Sequence, residues 1–226
     1  MPASTSPGTC ALCGGAVTKR SAGRHLDACA SSHDASSGAT GRLLRFRVQA
    51  RGGGPWWLDV EARGTATLTS LDDLLRSTWL ECCGHLSQFE VGPYRYVVSG
   101  GGPLNPFGRD RSERTMSAKI GDVFRGVGAE GRHEYDFGST TELVLKVTGE
   151  RDGRLGRAAV RLLARNDPPV WPCAECGQPA TAVCAAHYVD SSPFVCAAHE
   201  SAHACEDEAF LPVVNSPRMG VCGYGG

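Results

Sequence analysis

The stretch LLRFRVQARGGGPWWLDVEA, residues 43 to 62, decides the fold. Its first half puts Leu44, Phe46, Val48 and Ala50 on one side and Arg45, Arg47 and Gln49 on the other. That period of two marks a half-buried strand, because successive side chains of an extended chain point to opposite faces. The glycine run at 52–54 reverses the chain, and Trp56, Leu58, Val60 and Ala62 resume the alternation. Two such runs joined by a turn predict an antiparallel hairpin.

Downstream the period changes. Leu71, Leu74, Leu75, Trp79 and Cys82 recur at helical spacing, with Ser70 placed to cap the start, Asp72 and Asp73 in the first turn, and Gly84 at the end. Short strands are expected at 87–91 and 94–98, a loop at 99–109, and a helical turn near 119–124. Further strands are expected at 132–138, 141–150 and 157–164. A hairpin, a helix and more strands make an α+β domain, a mixed or antiparallel sheet with a helix covering one face.

Composition narrows the function classes. The chain of 226 residues is 41% hydrophobic and 21% charged, with a formal net charge of -1. That balance supplies no global field for nucleic acid or membrane surfaces. No apolar run approaches the roughly 18 residues of a membrane span. The start, MPASTSPGTCALCGG, lacks a basic segment followed by an apolar core, so a cytoplasmic, thiol-reducing compartment is expected.

The 11 cysteines fall in groups: Cys10, Cys13 and Cys29 in front, Cys82 and Cys83 in the middle, and Cys173, Cys176, Cys184, Cys196, Cys205 and Cys222 at the back. His25, His187, His199 and His203 interleave with the outer groups. Disulfides do not recruit histidine; metal sites do. In front, Cys10-x2-Cys13-x11-His25-x3-Cys29 offers a tight knuckle and then two donors one helical turn apart, enough to close a tetrahedron around zinc. His33 reads as a solvated neighbour. At the back, Cys173, Cys176, Cys184, His187, Cys196, His199, His203 and Cys205 form four close pairs, enough for two tetrahedral sites. Three Zn2+ ions are therefore expected. All are structural, because four protein ligands leave no place for an activated water. Cys82 is expected in the core, and Cys222 as a buried or free thiol, with a ninth metal ligand as its alternative.

The same groups suggest the organisation: a zinc finger at 1–30, a small, polar, flexible linker at 31–41, an α+β domain at 42–165, a proline-rich connector at 166–172, and a two-zinc module with a glycine-rich tail at 173–226.

The order of the middle segment, with His85-Leu86-x-x-Phe89 and Tyr135-Asp136-Phe137-Gly138, resembles the plasmid pRiA open-reading-frame-three-like domain over about 42–150. That resemblance implies a grasp-like α+β fold with a helix on a mixed sheet. The commoner family pattern has a second histidine where Ser87 stands, and acidic, tryptophan and histidine residues after the YDFG segment. Here the latter stretch reads Ser139, Thr140, Thr141, Glu142, Leu143, so much of that polar cluster is missing. The front run CALCGG…RHLDAC resembles the Cys-Cys-His-Cys fingers that bind ubiquitin in DNA-repair ligases, which implies Asp27 as a contact residue. The back resembles B-box-like cross-brace fingers. That implies one zinc on Cys173, Cys176, Cys196 and His199, and another on Cys184, His187, His203 and Cys205.

Signs of catalysis are weak. The glycine run at 100–102 lacks the Gly-Lys-Ser/Thr ending of a phosphate loop. Cys82 and Cys83 end a helix, where the dipole disfavours a thiolate, and His133 and Asp136 fall on opposite faces of one strand. The expectation is a non-enzymatic adaptor that recognises a protein partner, with neither membrane nor small-molecule substrate. An alternative is nucleic-acid binding, linked to mobile elements, through the front finger and the Arg45 and Arg47 face of the hairpin. A hydrolase or transferase using His85 and the YDFG segment is the third reading.

Overall fold

The computed structural model describes residues 6–98, 112–187, 193–203 and 209–226; the loop expected at 99–109 lies outside them. In chain order the elements are β1 (Pro7–Cys10), β2 (Ala16–Thr18), α1 (Ala22–Ser32), β3 (Gly41–Ala50), β4 (Trp57–Arg63), α2 (Leu68–Leu75), β5 (Ser87–Val91), β6 (Tyr94–Val97), β7 (Glu113–Thr115), α3 (Ile120–Val123), β8 (Glu130–Tyr135), β9 (Thr141–Gly153), β10 (Val160–Asn166), β11 (Ala182–Cys184), β12 (Phe194–Val195) and β13 (Phe210–Pro212). The described chain is mostly β, with few helices. None of those helices is long and apolar enough to cross a membrane.

The hairpin expected from 43–62 forms, with Leu43 opposite Arg63 and Gln49 opposite Trp57. Around it lies a ten-stranded sheet in the order β2-β1-β10-β4-β3-β9-β8-β5-β6-β7. Every pairing is antiparallel except β6 with β7, which is parallel and makes the sheet mixed. A separate three-stranded sheet, β12-β11-β13, belongs to the back segment.

The alternation sorts the two faces. Leu44, Phe46, Val48, Leu58, Val60 and Ala62 form the main core with Leu68, Leu71 and Leu75 of α2. Thr67 caps α2, its hydroxyl accepting from the Ser70 amide at 3.3 Å, so the helix starts before the expected Ser70. Leu75 leads into a π turn, Arg76–Leu80, that buries Trp79 and Leu80. An inserted π turn lets the chain end the helix with both large side chains inward.

The other face is covered by the front segment. Cys10, Val17, Ala22, Leu26 and Ala30 pack with Trp57, Leu163 and Ala164. β1 pairs with β10 from Gly8↔Asn166 to Cys10↔Ala164, so the finger is continuous with the sheet rather than tethered to it. With both faces covered, β4 is buried along almost its whole length.

The stretch 31–41, expected to be a flexible linker, is tied down. Asp34 pairs with Arg151 at 2.7 Å, and the Ala35 amide donates to the Arg154 carbonyl at 3.0 Å. Polar composition alone implies freedom, but here those groups find partners on the sheet. Arg161 and Arg151 both donate to the Ala30 carbonyl, and Arg161 also donates to the His33 carbonyl. Guanidiniums thus satisfy the last carbonyls of α1 and meet the negative end of its dipole. Both arginines also hold Glu61, which is 2% exposed.

The back segment shares the same core. Val183 and Met219 belong to the main cluster, and Trp171 stacks on Phe194 at 4.7 Å while lying 6.0 Å from Trp56. Asn166 accepts from the Trp57 amide at 3.0 Å and donates to Asn215 at 2.6 Å, stitching the tail to the end of β10.

Removing the Glu61 carboxylate would leave Arg151 and Arg161 to share the single carboxylate of Asp34, at 2.7 and 3.6 Å. Glu61→Ala is expected to lower stability by about 3 kcal/mol, read as a lower urea midpoint, with faster amide exchange in α1. A loss below about 0.5 kcal/mol, the size of an ordinary surface change, would show that the arginines find other partners.

Candidate metal centres

In front, β1 and β2 are joined by a knuckle over Cys10 to Gly15. The Cys10 amide donates to the Gly15 carbonyl and the Gly14 amide to the Cys10 carbonyl, each at 2.9 Å. Gly14 takes a φ of 70°, a left-handed turn that glycine adopts without steric cost. The Gly15 amide points at the Cys13 sulfur, 3.4 Å away. α1 then places His25 and Cys29 one turn apart and facing the knuckle. Cys10 Sγ lies 3.8 Å from Cys29 Sγ, and Cys13 Sγ lies 3.4 Å from His25 Nε2.

These lengths have a simple meaning. Zinc–sulfur bonds of about 2.3 Å and zinc–nitrogen bonds of about 2.05 Å in a tetrahedron give edges of about 3.8 Å between sulfurs and about 3.5 Å from sulfur to nitrogen. A disulfide would need about 2.05 Å. All four donors lie within 4.8 Å of one another. The donor set therefore fits a borderline-soft divalent ion such as zinc. The crowding also speaks through acidity: burial, then the neighbouring Cys13 and Cys10, push the Cys29 thiol up to about 12. The Gly15 amide, first among its influences, pulls Cys13 down. Three adjacent thiolates repel one another, and a cation at their centre removes the conflict. His33 sits beside this group, with Nδ1 2.8 Å from the Cys29 carbonyl, and is outside the quartet.

At the back the same knuckle recurs. The Cys173 amide donates to the Gln178 carbonyl at 2.7 Å, the Gly177 amide donates to the Cys173 carbonyl at 2.9 Å, and Gly177 again has φ 70°. Cys196 and His199 meet it. The Cys176 to Cys196 sulfur distance is 3.8 Å, and His199 Nδ1 lies 3.6 and 3.4 Å from the sulfurs of Cys173 and Cys196. Burial raises the Cys173 pKa, but the Cys196, Cys176 and Glu175 amides and His199 outweigh it, leaving the thiol at about 6. Cys173, Cys176, Cys196 and His199 are thus brought together. The second expected quartet is only partly described. Cys184 is buried at the end of β11 and the His203 ring lies 5.4 Å from Phe210. Cys205 and the His187 side chain lie outside the described residues.

A third group was not foreseen. Cys82, Cys83, His85 and Cys222 also lie with their donor atoms within 4.8 Å of one another. Cys82, expected in the core, is only half-buried. Burial raises its pKa, but Arg218, Cys83 and Tyr135 bring it below the usual thiol value. The run Cys82-Cys83-Gly84-His85 contains three donors in four residues, the one sequence signal that could have found this group. Its fourth donor follows 137 residues after His85. Three Cys/His groups that could each hold a metal are thus present among the described residues: two are quartets expected from the sequence, and the third is the Cys82 group.

The proposed partner contacts are placed differently from one another. Asp27 is 68% exposed and pairs with Arg45 at 2.8 Å. Arg45 also donates to the Gly23 carbonyl, while Arg47 donates to Asp59 and to the Lys19 carbonyl. Both arginines are largely covered, with side chains 12% and 14% exposed. The arginine face expected to meet nucleic acid is the face on which the front finger sits. His133 is fully buried with Nε2 2.6 Å from Asp72, away from Asp136.

No protein-family description matches the chain, and no curated protein matches it. A crystal structure of a protein of unknown function from Methanosarcina mazei Go1 is similar over 54% of this chain and 67% of that one, with 14% identity and a TM-score of 0.42. A likeness of that depth transfers no function.

Each quartet is expected to bind independently. Cys10→Ser and Cys173→Ser should each lower the metal content of the intact protein by one ion, measured by native mass spectrometry. His33→Ala should leave it unchanged; a lost ion there would make His33 a ligand.

Proposed function

We infer that this protein is a non-enzymatic interaction module in which zinc ions serve as scaffolding for a pRiA-type, grasp-like platform. The observation that carries the reading is the pair of matching knuckles, at Cys10 to Gly15 and Cys173 to Gln178. Each is completed to four protein donors with tetrahedral edge lengths. A metal held by four side chains has its coordination filled, which suits folding rather than activation of a water. The front residues Cys10, Cys13, His25 and Cys29 would hold one zinc, and Cys173, Cys176, Cys196 and His199 another. Cys184, His187, His203 and Cys205 would complete the cross-brace pair.

A protein partner suits the surface better than a polyanion. Exposed apolar side chains include Leu86 at 54% and Phe137 at 47%, on segments joined by the Asp136 amide donating to the Leu86 carbonyl at 2.9 Å. Apolar residues presented on a rigid frame are the usual centre of a protein contact. The chain's net charge of -1 adds no general attraction for phosphate backbones.

Chelation should unfold the front and back segments, seen as loss of amide protection in α1 and β11. Affinity capture with the intact chain should recover a specific protein that Leu86→Asp/Phe137→Asp no longer retains, while the variant keeps its metal content. Full retention by the double variant, or turnover of a substrate by the zinc-loaded protein, would overturn the reading.

A further inference from the structure

The unforeseen group at Cys82 joins two parts of the chain that sequence keeps far apart. Its sulfur edges are 3.7 Å for Cys82 to Cys83 and 3.9 Å for Cys83 to Cys222. His85 Nε2 lies 3.0 Å from Cys83 and 3.2 Å from Cys222, somewhat inside the ideal sulfur–nitrogen edge of about 3.5 Å. The sulfurs are much too far apart for a disulfide at about 2.05 Å.

The loop that carries three of the donors is held in shape by hydrogen bonds from the sheet domain. The Tyr135 hydroxyl, on a fully buried ring, accepts from the amides of Cys82 and His85 at 3.4 and 3.3 Å, and donates to Glu81 at 3.1 Å. Glu81 in turn accepts from the Gly84 amide and the Arg76 guanidinium, both at 2.6 Å. Gly84 takes a φ of 81°, which turns the Cys-Cys-Gly-His run back on itself.

The tail brings the fourth donor by an equally deliberate route. Ser216 donates to the Trp79 carbonyl at 2.6 Å and accepts from the Arg218 amide at 2.8 Å. Arg218 is fully buried, donating to Asp136 at 2.6 Å, the Ser139 carbonyl at 3.0 Å and Thr141 at 3.1 Å. Its guanidinium lies 4.9 Å from the centre of the Tyr135 ring, the same ring that organises the loop. One tyrosine and one arginine therefore align both halves of the group.

Backbone strain marks the same place. Among the described residues, two other than glycine have positive φ: Asp136 at 63° and Cys222 at 52°. Cysteine gains nothing from the left-handed region, and a turn holds Cys222 there, closed by the Tyr224 amide donating to the Val221 carbonyl at 3.0 Å with Gly223 at φ 68° beside it. Met219 and Tyr224 are both buried and anchor the tail on either side of that turn. The turn aims the exposed Cys222 thiol at the three other donors.

We propose that Cys82, Cys83, His85 and Cys222 bind a zinc ion that latches the C-terminal tail, residues 213–226, to the central sheet domain. Three thiols release their protons to solvent on binding, and the neutral imidazole supplies the fourth bond. Three thiolates around a dication leave one net negative charge, beside the buried Arg218. The site is distinct from both knuckle sites, and it stands whether or not the partner reading holds.

The test uses the full chain loaded with zinc. Cys83 and Cys222 are exposed, so without a metal both are open to iodoacetamide. Peptide mapping should find each at least about ten-fold slower than after chelation. Cys83→Ser, Cys222→Ser and the double variant should each lose one and the same zinc by native mass spectrometry. The tail should exchange its amides faster while α1 and β11 keep their protection. Free-thiol alkylation rates in the zinc-loaded protein, or an unchanged zinc count in both single variants, would overturn the proposal. A Cys83–Cys222 disulfide in reduced, zinc-loaded protein would do the same.

Discussion

Sulfur and imidazole donors packed at tetrahedral edge lengths are the constraint on which this structure turns. Thiols at 3.7 to 3.9 Å cannot all ionise without a cation and are too far apart to bond to one another. The backbone around them is arranged for anions: amides at Gly15 and beside Cys173 point at sulfur, and left-handed glycines close the knuckles. Such an arrangement lowers the cost of gathering negative charge, and a divalent ion completes it.

The donor groups matter because the segments that carry them are part of the fold. The front knuckle is the end of β1, and β1 is a strand of the main sheet. The helix that supplies His25 and Cys29 covers the polar face of the hairpin, where Arg47 holds Asp59 and Arg151 and Arg161 hold Glu61. Ion pairs at that depth give modest net stability but penalise any other seating of the finger, since a displaced helix would leave charges unpaired. At the other end Trp171, Val183 and Met219 bring the back segment into the main core. The chain behaves as a sheet braced on both sides, rather than a domain with appendages.

Much of the sheet was legible from local pattern. Alternation placed β3, β4, β5, β6, β9 and β10, and helical spacing placed α2, because side-chain periodicity is a property of a few consecutive residues. Asp136 shows the limit: the 132–138 run looked like one strand, but β8 ends at Tyr135 and Asp136 turns left-handed toward Arg218. β7 was missed, since Glu113, Arg114 and Thr115 are all exposed and carry no apolar rhythm. The polar stretch at 31–41 misled for the opposite reason: its composition says nothing about the arginines on other strands that hold it.

By itself the amino-acid sequence determined the hairpin, the covering helix and the spacing of the cysteine and histidine donors at each end. These depend on residues close along the chain, where pitch and turn geometry decide which side chains share a face. Only the tertiary structure decided that the finger lies on the arginine face, which uses Arg45 and Arg47 internally, and that Cys222 returns to Cys82, Cys83 and His85. Both results come from pairing between strands and from burial of Arg218, far in sequence from Cys82, Cys83 and His85, and no local period encodes which distant surfaces will meet.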